Sequence, residues 1–246
     1  MEFVCEPNRF QRILNVALIG GKIESCASYF RPDGLYVEDK SQQTIGVKAF
    51  FPVKYFINYK VDGDEEKLQL SKTMLEPFGW GEAFEEAKLK VHIKDGKLYY
   101  EAIDKQGKTD EFWKNDLEEV KENKFNFQIP SSEKGFIPSG KPELAQVFLR
   151  ASQLKIHTAD RYKFIGDDGK MEVEVQNPGV YKRALQLTKA VKLSKLELAV
   201  PGDDLETIVG LYTGDVWLTL YAGGVVFSQK TEEGAISYLL SPFTEA

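Results

Sequence analysis

Few side chains in this sequence have the types and spacing that catalysis requires. The two histidines, His92 and His157, lie in alternating stretches typical of strands, and neither has an HExxH motif or a cysteine beside it. No Gly-x-Ser-x-Gly segment marks a nucleophilic serine. Cys5 and Cys26 are too few for a disulfide framework or a cysteine-rich zinc site. We therefore predict no metal, no cofactor and no enzymatic activity.

One segment imitates a phosphate-binding loop. Residues 135–141 have the sequence GFIPSGK, which matches the first seven positions of the GxxxxGK[ST] pattern. The eighth position is Pro142, which has neither the hydroxyl that would bind magnesium nor a backbone N–H for phosphate. The preferred interpretation is a loop that enters a helix with Pro142 in its first turn. An enzyme that uses this loop for phosphate is the less favoured alternative.

Composition and charge narrow the class of protein. The chain has 246 residues, 42% of them hydrophobic and 28% charged, which is typical of a globular protein. Lys and Arg total 32 against 38 Asp and Glu, a net charge of -6, so any DNA-binding groups must be segregated on one surface. The N-terminus lacks a signal-peptide pattern, and no apolar run approaches the ~18 residues that span a bilayer. We expect an intracellular protein without membrane association.

The pattern of apolar residues predicts an internal repeat. Residues 8–19 place Phe10, Ile13, Leu14 and Ala17 at helical spacing, with Asn8 as the expected N-cap. Turn signals follow at residues 33–34, a second short helix is predicted over 68–76, ended by Pro77, and a hairpin is predicted around residues 95–96.

The second half repeats this order at an offset of about 134 residues. A helix is predicted over 142–154, with Leu144, Val147, Phe148 and Ala151 inward, and a turn at residues 168–169. Another helix follows Pro201, with Leu205, Ile208 and Val209 inward. We predict an α+β protein of two similar domains, each with two helices on antiparallel sheets. The predicted boundaries are 1–116 and 141–246, joined by a connector at 117–140.

Taken together, the duplication, the connector and the C-terminus resemble the proliferating cell nuclear antigen (PCNA) family of sliding clamps. The segments that carry the resemblance are DGLYVEDKSQQTIGV at 33–47, Ser71 and Lys72, PELAQVFLRAS at 142–152, and EEGAISYLLSPFTEA at 232–246. Ser241 stands where the family usually has alanine. The resemblance covers nearly the whole length and implies a DNA-clamp fold, with three subunits forming a closed ring of six domains.

The resemblance also implies where subunits and DNA would be contacted. A strand near 109–116 would pair with one near 180–188 of the next subunit, with opposite charges across the edge; the alternative is two ordinary edge strands blunted by charge. The expected interface residues are Asp110, Glu111, Phe112, Asp116, Tyr181, Lys182 and Arg183.

For DNA, the resemblance implies that helices line the central hole of the ring and contact phosphates without reading bases. The candidate DNA contacts are Arg9, Arg12, Lys72, Lys141, Arg150 and Lys155. The predicted fourth helix is acidic, with Asp203, Asp204 and Glu206.

Partner proteins of this family insert a short motif with a glutamine and aromatic residues into an apolar pocket. Carried over by position, that surface uses Lys40, Thr44, Ile45, Val47, Phe127, Ile129, Leu239 and Pro242. The alternative for the six apolar residues is ordinary core. Gly223 and Gly224 stand near a usual pocket proline, which is a departure from the family.

The resemblance implies a non-enzymatic processivity factor that encircles duplex DNA. It would tether a replicative polymerase and other DNA-processing enzymes, including those of repair, and would be opened by a clamp loader. The expected state is a homotrimer, in the cytoplasm if archaeal or viral and in the nucleus if eukaryotic. The alternative is one subunit of a heterotrimeric, checkpoint-type or viral clamp.

Overall fold

A computed structural model describes ten segments of the chain. They are residues 1–40, 45–84, 87–123, 144–154, 160–167, 170–176, 180–185, 189–190, 196–221 and 224–242. The phosphate-loop imitation at 135–141 and the candidate residues Thr44, Phe127, Ile129, Lys141 and Lys155 lie outside these segments, and so does His157.

The chain forms two compact units. Unit 1 comprises Met1–Asp39, Ala49–Lys124 and Glu232–Gly234, and unit 2 comprises Lys40–Lys48, Phe125–Thr231 and Ala235–Ala246. The predicted division into residues 1–116, 117–140 and 141–246 stays a prediction.

The described residues of unit 1 form mostly antiparallel sheet and one α-helix. Its elements are β1 (Glu2–Cys5), α1 (Pro7–Ala17), β2 (Ser25–Arg31), β3 (Gly34–Lys40), β4 (Ile45–Pro52, whose first four residues belong to unit 2), β5 (Asn58–Lys60), β6 (Glu66–Ser71), β7 (Lys88–Lys94), β8 (Lys97–Ile103) and β9 (Thr109–Asp116). Five of the strands form one sheet in the order β5-β1-β7-β8-β9, and β2 pairs with both β3 and β6.

Helix α1 confirms the predicted spacing of its apolar residues. Phe10, Ile13, Leu14 and Ala17 are all fully buried. The helix begins at Pro7 with Glu6 as its N-cap, so the prediction of Asn8 as the cap was wrong. Proline suits the first helical position because its missing N–H has no partner there in any case. Phe10 packs against Phe3 of β1, with ring centroids 5.3 Å apart, which fixes the helix on the sheet.

The two turns predicted in the first half are confirmed. In the β7–β8 hairpin Lys94 pairs with Lys97, and the two loop residues have positive φ, 50° at Asp95 and 73° at Gly96. Such a turn matches the twist of the flanking strands. Pro32 and Asp33 connect β2 to β3.

The helix predicted over 68–76 was wrong. Leu68 and Leu70 belong to strand β6 and point into the protein core. This strand pairs with β2 from Ser25 to Phe30. A helical segment, of the 3-10 type, begins only at Lys72 and covers Lys72–Phe84. Pro77 lies inside that segment, where its ring would obstruct a regular α-helix. The alternation of apolar residues before Lys72 therefore favours a strand there, although helical spacing had predicted a helix.

The described residues of unit 2 form strands of two further sheets and one α-helix. Its elements are β10 (Leu144–Arg150), β11 (Arg161–Asp167), β12 (Lys170–Gln176), β13 (Val180–Leu185), β14 (Lys189–Ala190), β15 (Leu196–Pro201), α2 (Gly202–Leu211), β16 (Asp215–Tyr221), β17 (Gly224–Thr231) and β18 (Gly234–Leu240). One sheet has the order β13-β12-β11-β15, and β14, β10, β16, β17, β18 and β4 follow one another in the other.

The helix predicted over 142–154 was also wrong. Leu144–Arg150 is strand β10, and all seven residues pair with β16, from Leu144 opposite Tyr221 to Arg150 opposite Asp215. The apolar pattern of a short segment often fits both a helix and a strand, and here pairing with the long strand β16 selects the strand. Only Ala151–Leu154 forms a helical turn, of the 3-10 type.

Helix α2 confirms the prediction for the segment after Pro201. Leu205, Ile208 and Val209 are buried, and Asp203 and Asp204 occupy the first turn, where negative charge favours the helix dipole. The α+β class and the antiparallel sheets are thus as predicted. The structural repeat is incomplete because α1 and β10 occupy corresponding places in the two halves.

Candidate nucleic-acid interface

Arg9 and Arg12 lie on the part of α1 that faces away from the buried residues. Arg9 is held within the fold: its Nη1 donates to the backbone oxygen of Tyr55 at 2.6 Å, and its guanidinium lies 5.1 Å from the centre of the Tyr55 ring. Burial raises the pKa of Tyr55 to about 12, so the ring stays neutral beneath the cation even at alkaline pH. Much of the hydrogen-bonding capacity of Arg9 is therefore used internally.

Arg12 is more accessible but has an acidic partner. Its Nη1 donates to Oε2 of Glu233 at 2.8 Å, and the two side chains are 30% and 50% exposed. Glu233 lies in the turn between β17 and β18, far along the chain but within unit 1. A phosphate that approached Arg12 would have to compete with this carboxylate.

Lys72 and Arg150 show the same arrangement. Lys72, the first residue of its 3-10 segment, donates to Oε1 of Glu24 at 2.5 Å. In unit 2, Arg150 ends strand β10 and lies 3.8 Å from Oδ1 of Asp215, its cross-strand neighbour. The prediction that Arg150 belongs to a helix was wrong, since it occupies a strand end. All four described candidate cations thus have an internal partner.

The sequence did not predict that acidic residues pair with these candidate cations. Arg12 and Glu233 are 221 positions apart, and Lys72 and Glu24 are 48 apart. No local pattern relates residues at such distances, so only the tertiary fold could bring them together. The contacts between these groups weaken any interaction with phosphate without abolishing it, because exposed ion pairs are only marginally stable.

The predicted subunit-interface residues lie on two edge strands. Among the described strands, β9 ends the five-stranded sheet and β13 ends the four-stranded sheet. On β9, Asp110, Glu111 and Asp116 lie 3.2, 3.1 and 3.0 Å from lysine ammonium groups of the same unit, and the Phe112 ring packs near Tyr100. On β13, the residues Tyr181, Lys182 and Arg183 pair through the backbone with β12. Each strand thus pairs on one side with a neighbour of its own unit.

The described partner-binding residues differ in accessibility. Ile45 and Val47 on β4 are 3% and 0% exposed, whereas Leu239 and Pro242 are half-buried and Lys40 is exposed. Leu239 also flanks Gly224: a Cβ built on this glycine would lie 3.0 Å from Cδ1 of Leu239 and 2.3 Å from the backbone oxygen of Leu240. With φ at +147°, this position strongly favours glycine.

A charged cluster on the five-stranded sheet involves His92. Nε2 of His92 lies 3.0 Å from Oε1 of Glu101, and Lys90 contacts both Glu101 and Glu2 at 3.2 and 3.3 Å. Burial acts to raise the pKa of Glu101, but the hydrogen bonds and charges of His92 and Lys90 outweigh it, so the pKa is lowered. In the described segments, no group of three or more His, Cys, Asp and Glu side chains is placed to hold a metal ion.

Comparison with known structures identifies the fold as that of the DNA sliding clamps. Two similar solved structures are PCNA proteins. One is PCNA of A. fulgidus bound to the C-terminal region of FEN-1, with 12% identity, a TM-score of 0.72, and coverage of 100% of this chain and 99% of that one. The other is PCNA of Thermococcus kodakaraensis, with 17% identity, a TM-score of 0.70, and coverage of 98% and 99%. The predicted clamp fold is therefore confirmed.

The sequence comparisons add no relative. No protein-family model matches the chain, and no curated protein matches it. Within the described residues, no helix is both long enough and apolar enough to cross a membrane.

Proposed function

We propose that this chain is a non-enzymatic DNA sliding clamp. As a closed ring it would encircle duplex DNA and tether a replicative polymerase and other DNA-processing enzymes, which raises their processivity by keeping them at high local concentration. The observation that carries the proposal is the clamp fold over the full length of the chain. The A. fulgidus neighbour binds the C-terminal region of FEN-1, which supports partners that dock through short peptides.

The proposed ring is a homotrimer closed by β9 of one subunit and β13 of the next. Both are edge strands among those described, and β9 carries Asp110, Glu111 and Asp116 where β13 carries Lys182 and Arg183. Charge complementarity of this kind selects the correct pairing and disfavours others. Light scattering after size-exclusion chromatography is expected to give about 84 kDa, three times the 27.9 kDa chain.

A charge exchange tests this interface directly. The double variant Lys182→Glu and Arg183→Glu is expected to give a monomer, and adding Asp110→Lys and Glu111→Lys is expected to restore the trimer. Lys60→Glu is the matched control, because Lys60 lies at the opposite edge of the same sheet as β9 and is 69% exposed in its ion pair with Asp62. A native chain that stays monomeric would contradict the homotrimer.

Topological tethering has a separate test. With a clamp loader and ATP, the chain is expected to stimulate primer extension on a closed circular template far more than on a short linear one, from which a ring slides off. Equal stimulation on both templates would count against encirclement. The proposed phosphate contacts, Arg9, Arg12, Lys72, Lys141, Arg150 and Lys155, supply only weak, sequence-independent attraction.

The proposed partner surface uses Lys40, Thr44, Ile45, Val47, Phe127, Ile129, Leu239 and Pro242. Leu239 is the appropriate residue to vary, since it is half-buried, whereas Val47 is fully buried and its loss would disturb the core. Leu239→Ser is expected to weaken binding of a FEN-1 C-terminal peptide with little effect on the unfolding temperature. Loss of binding together with loss of folding would leave the assignment of Leu239 unsupported.

A second candidate is one subunit of a heterotrimeric, checkpoint-type or viral clamp. The uneven row of basic residues and the altered pocket motivate it: α2 has Asp203 and Asp204 in its first turn, and Gly223 and Gly224 stand near a usual pocket proline. A monomeric native chain that forms a ring only with other clamp subunits would support this candidate.

A further inference from the structure

The face of strand β6 that turns away from the core carries polar residues that are nevertheless buried. Leu68 and Leu70 point into the core, so Lys67, Gln69 and Ser71 lie on the opposite face. A side chain on a solvent-facing surface is normally exposed, yet Gln69 is only 2% exposed. Another part of unit 1 must cover it.

The covering segment is the stretch that follows β9, residues 117–123, which we call the connector root. The backbone N–H of Lys121 donates to Oε1 of Gln69 at 2.9 Å. On its other side, Nε2 of Gln69 donates to Oγ of Ser25 on β2 at 2.9 Å. The buried amide is thus held at both ends, with its oxygen directed at the connector root. This orientation leaves its acceptor satisfied, as burial requires.

Two further contacts hold the same segment. Nζ of Lys67, two residues before Gln69, donates to Oε1 of Glu122 at 2.5 Å. At the beginning of the root, the N–H of Leu117 donates to the backbone oxygen of Gly96 at 3.2 Å. The connector root belongs to no strand or helix, so these side-chain and turn contacts take the place of a regular ladder.

We infer that Gln69 is a positioning residue that fixes the connector root against β6 and thereby sets the affinity of the chain for clamp-binding peptides. The effect on peptides rests on the proposed function, because the proposed partner surface includes connector residues beyond the root. Gln69 itself touches no partner in this inference. It acts by restricting the conformations of the connector root, and such pre-organisation lowers the entropic cost of binding.

Amide hydrogen exchange tests the tether by itself. Gln69→Met keeps the size of the side chain but removes both hydrogen bonds, and exchange at the Lys121 amide is expected to become roughly two- to ten-fold faster, the net worth of one such bond. Ser71→Ala is the matched control: Ser71 is buried on the same face of the same strand but contacts Thr73 instead. Equal exchange at Lys121 in both variants would overturn the tether.

Peptide binding then tests the consequence. The probe is a peptide of the FEN-1 C-terminal region, the ligand of the A. fulgidus neighbour. Gln69→Met is expected to raise its Kd several-fold, with unchanged trimer mass and with native affinity in Ser71→Ala. Faster exchange with an unchanged Kd would overturn the link between root and peptide. A native chain that binds no such peptide would overturn the proposed partner surface and that link together, while the exchange result would still decide the tether.

Discussion

Replacing Glu233 by glutamine is expected to strengthen DNA binding, because it releases Arg12 from a competing partner. The Arg12 guanidinium donates to Glu233 at 2.8 Å, and both side chains are accessible to solvent. In the native chain a phosphate must displace the carboxylate before it can use the full charge of Arg12. Glutamine keeps the size of the side chain and removes its charge, so the displacement becomes easier.

The size of the effect follows from the exposure of the pair. Side chains that are 30% and 50% exposed form an ion pair worth about 0.2–1 kcal/mol, since water and salt screen it. Removing that competition is expected to raise affinity by roughly 1.4- to 5-fold for each Arg12 that meets a phosphate. Each additional phosphate contact also steepens the dependence of log K on log salt concentration by about 0.9.

Fluorescence anisotropy of a labelled duplex at several potassium chloride concentrations measures both quantities. Glu65→Gln is the matched control: it removes an equal charge from another arginine–glutamate pair, that of Arg31, also at 2.8 Å, outside the proposed contact row. Glu233→Gln is expected to exceed this control in affinity and in salt slope, and Arg12→Gln to do the reverse. An equal gain from both glutamate variants would show that only net charge matters and would refute the local argument.

Gly34→Ala is expected to lower the free energy of unfolding by about 1–3 kcal/mol in urea titrations, since its φ is +148° and an added Cβ would lie 2.3 Å from a backbone oxygen. Gly63→Ala, which also has positive φ but meets nothing within 4 Å, is expected to cost less. The pKa of Glu101 is lowered in the fold, so its stabilisation is complete above pH 4.5 and is lost as pH falls through the folded pKa; Glu101→Gln is expected to flatten that part of a stability–pH curve. Burial raises the pKa of the Cys5 thiol to about 12 and that of Cys26 well above its usual value, so a thiol reagent is expected to modify both only after unfolding, and rapid labelling of the native chain would contradict this.

Local sequence determines several elements of this fold because their causes are local. The spacing of Phe10, Ile13 and Leu14 predicts α1, and Asp95 with Gly96 predicts a two-residue hairpin, since each depends on neighbours within one turn. Residues 144–150 fail the same reasoning. Their apolar pattern suits a helix equally well, and the partner that makes them a strand, Asp215–Tyr221, lies about 70 positions further along the chain.

The candidate site shows the same division between local and distant causes. The helical spacing of α1 predicts that the Arg12 side chain reaches solvent. Its ion pair with Glu233, however, forms only because the tertiary fold brings these distant residues together. Likewise Gln69 has an unremarkable place in an alternating strand, and its burial depends on residues some 50 positions away. Sequence therefore predicts which side chains can carry charge or hydrogen bonds, while the fold decides what those groups are bonded to.

The net charge of -6 and the internal pairing of the candidate cations lead to one requirement for the proposed clamp. At long range, the negative net charge weakens the attraction between the protein and DNA. At short range, the internal partners of the four described candidate cations compete with phosphate; these cations are Arg9, Arg12, Lys72 and Arg150. Both effects make open-surface binding to a phosphate backbone weak. If the protein nevertheless stays on DNA at physiological salt, retention has to come from closure of a ring, and a variant that cannot close it should lose retention even with every cation intact. A monomeric interface variant that still held DNA tightly would place the binding energy in surface contacts and would exclude the topological mechanism.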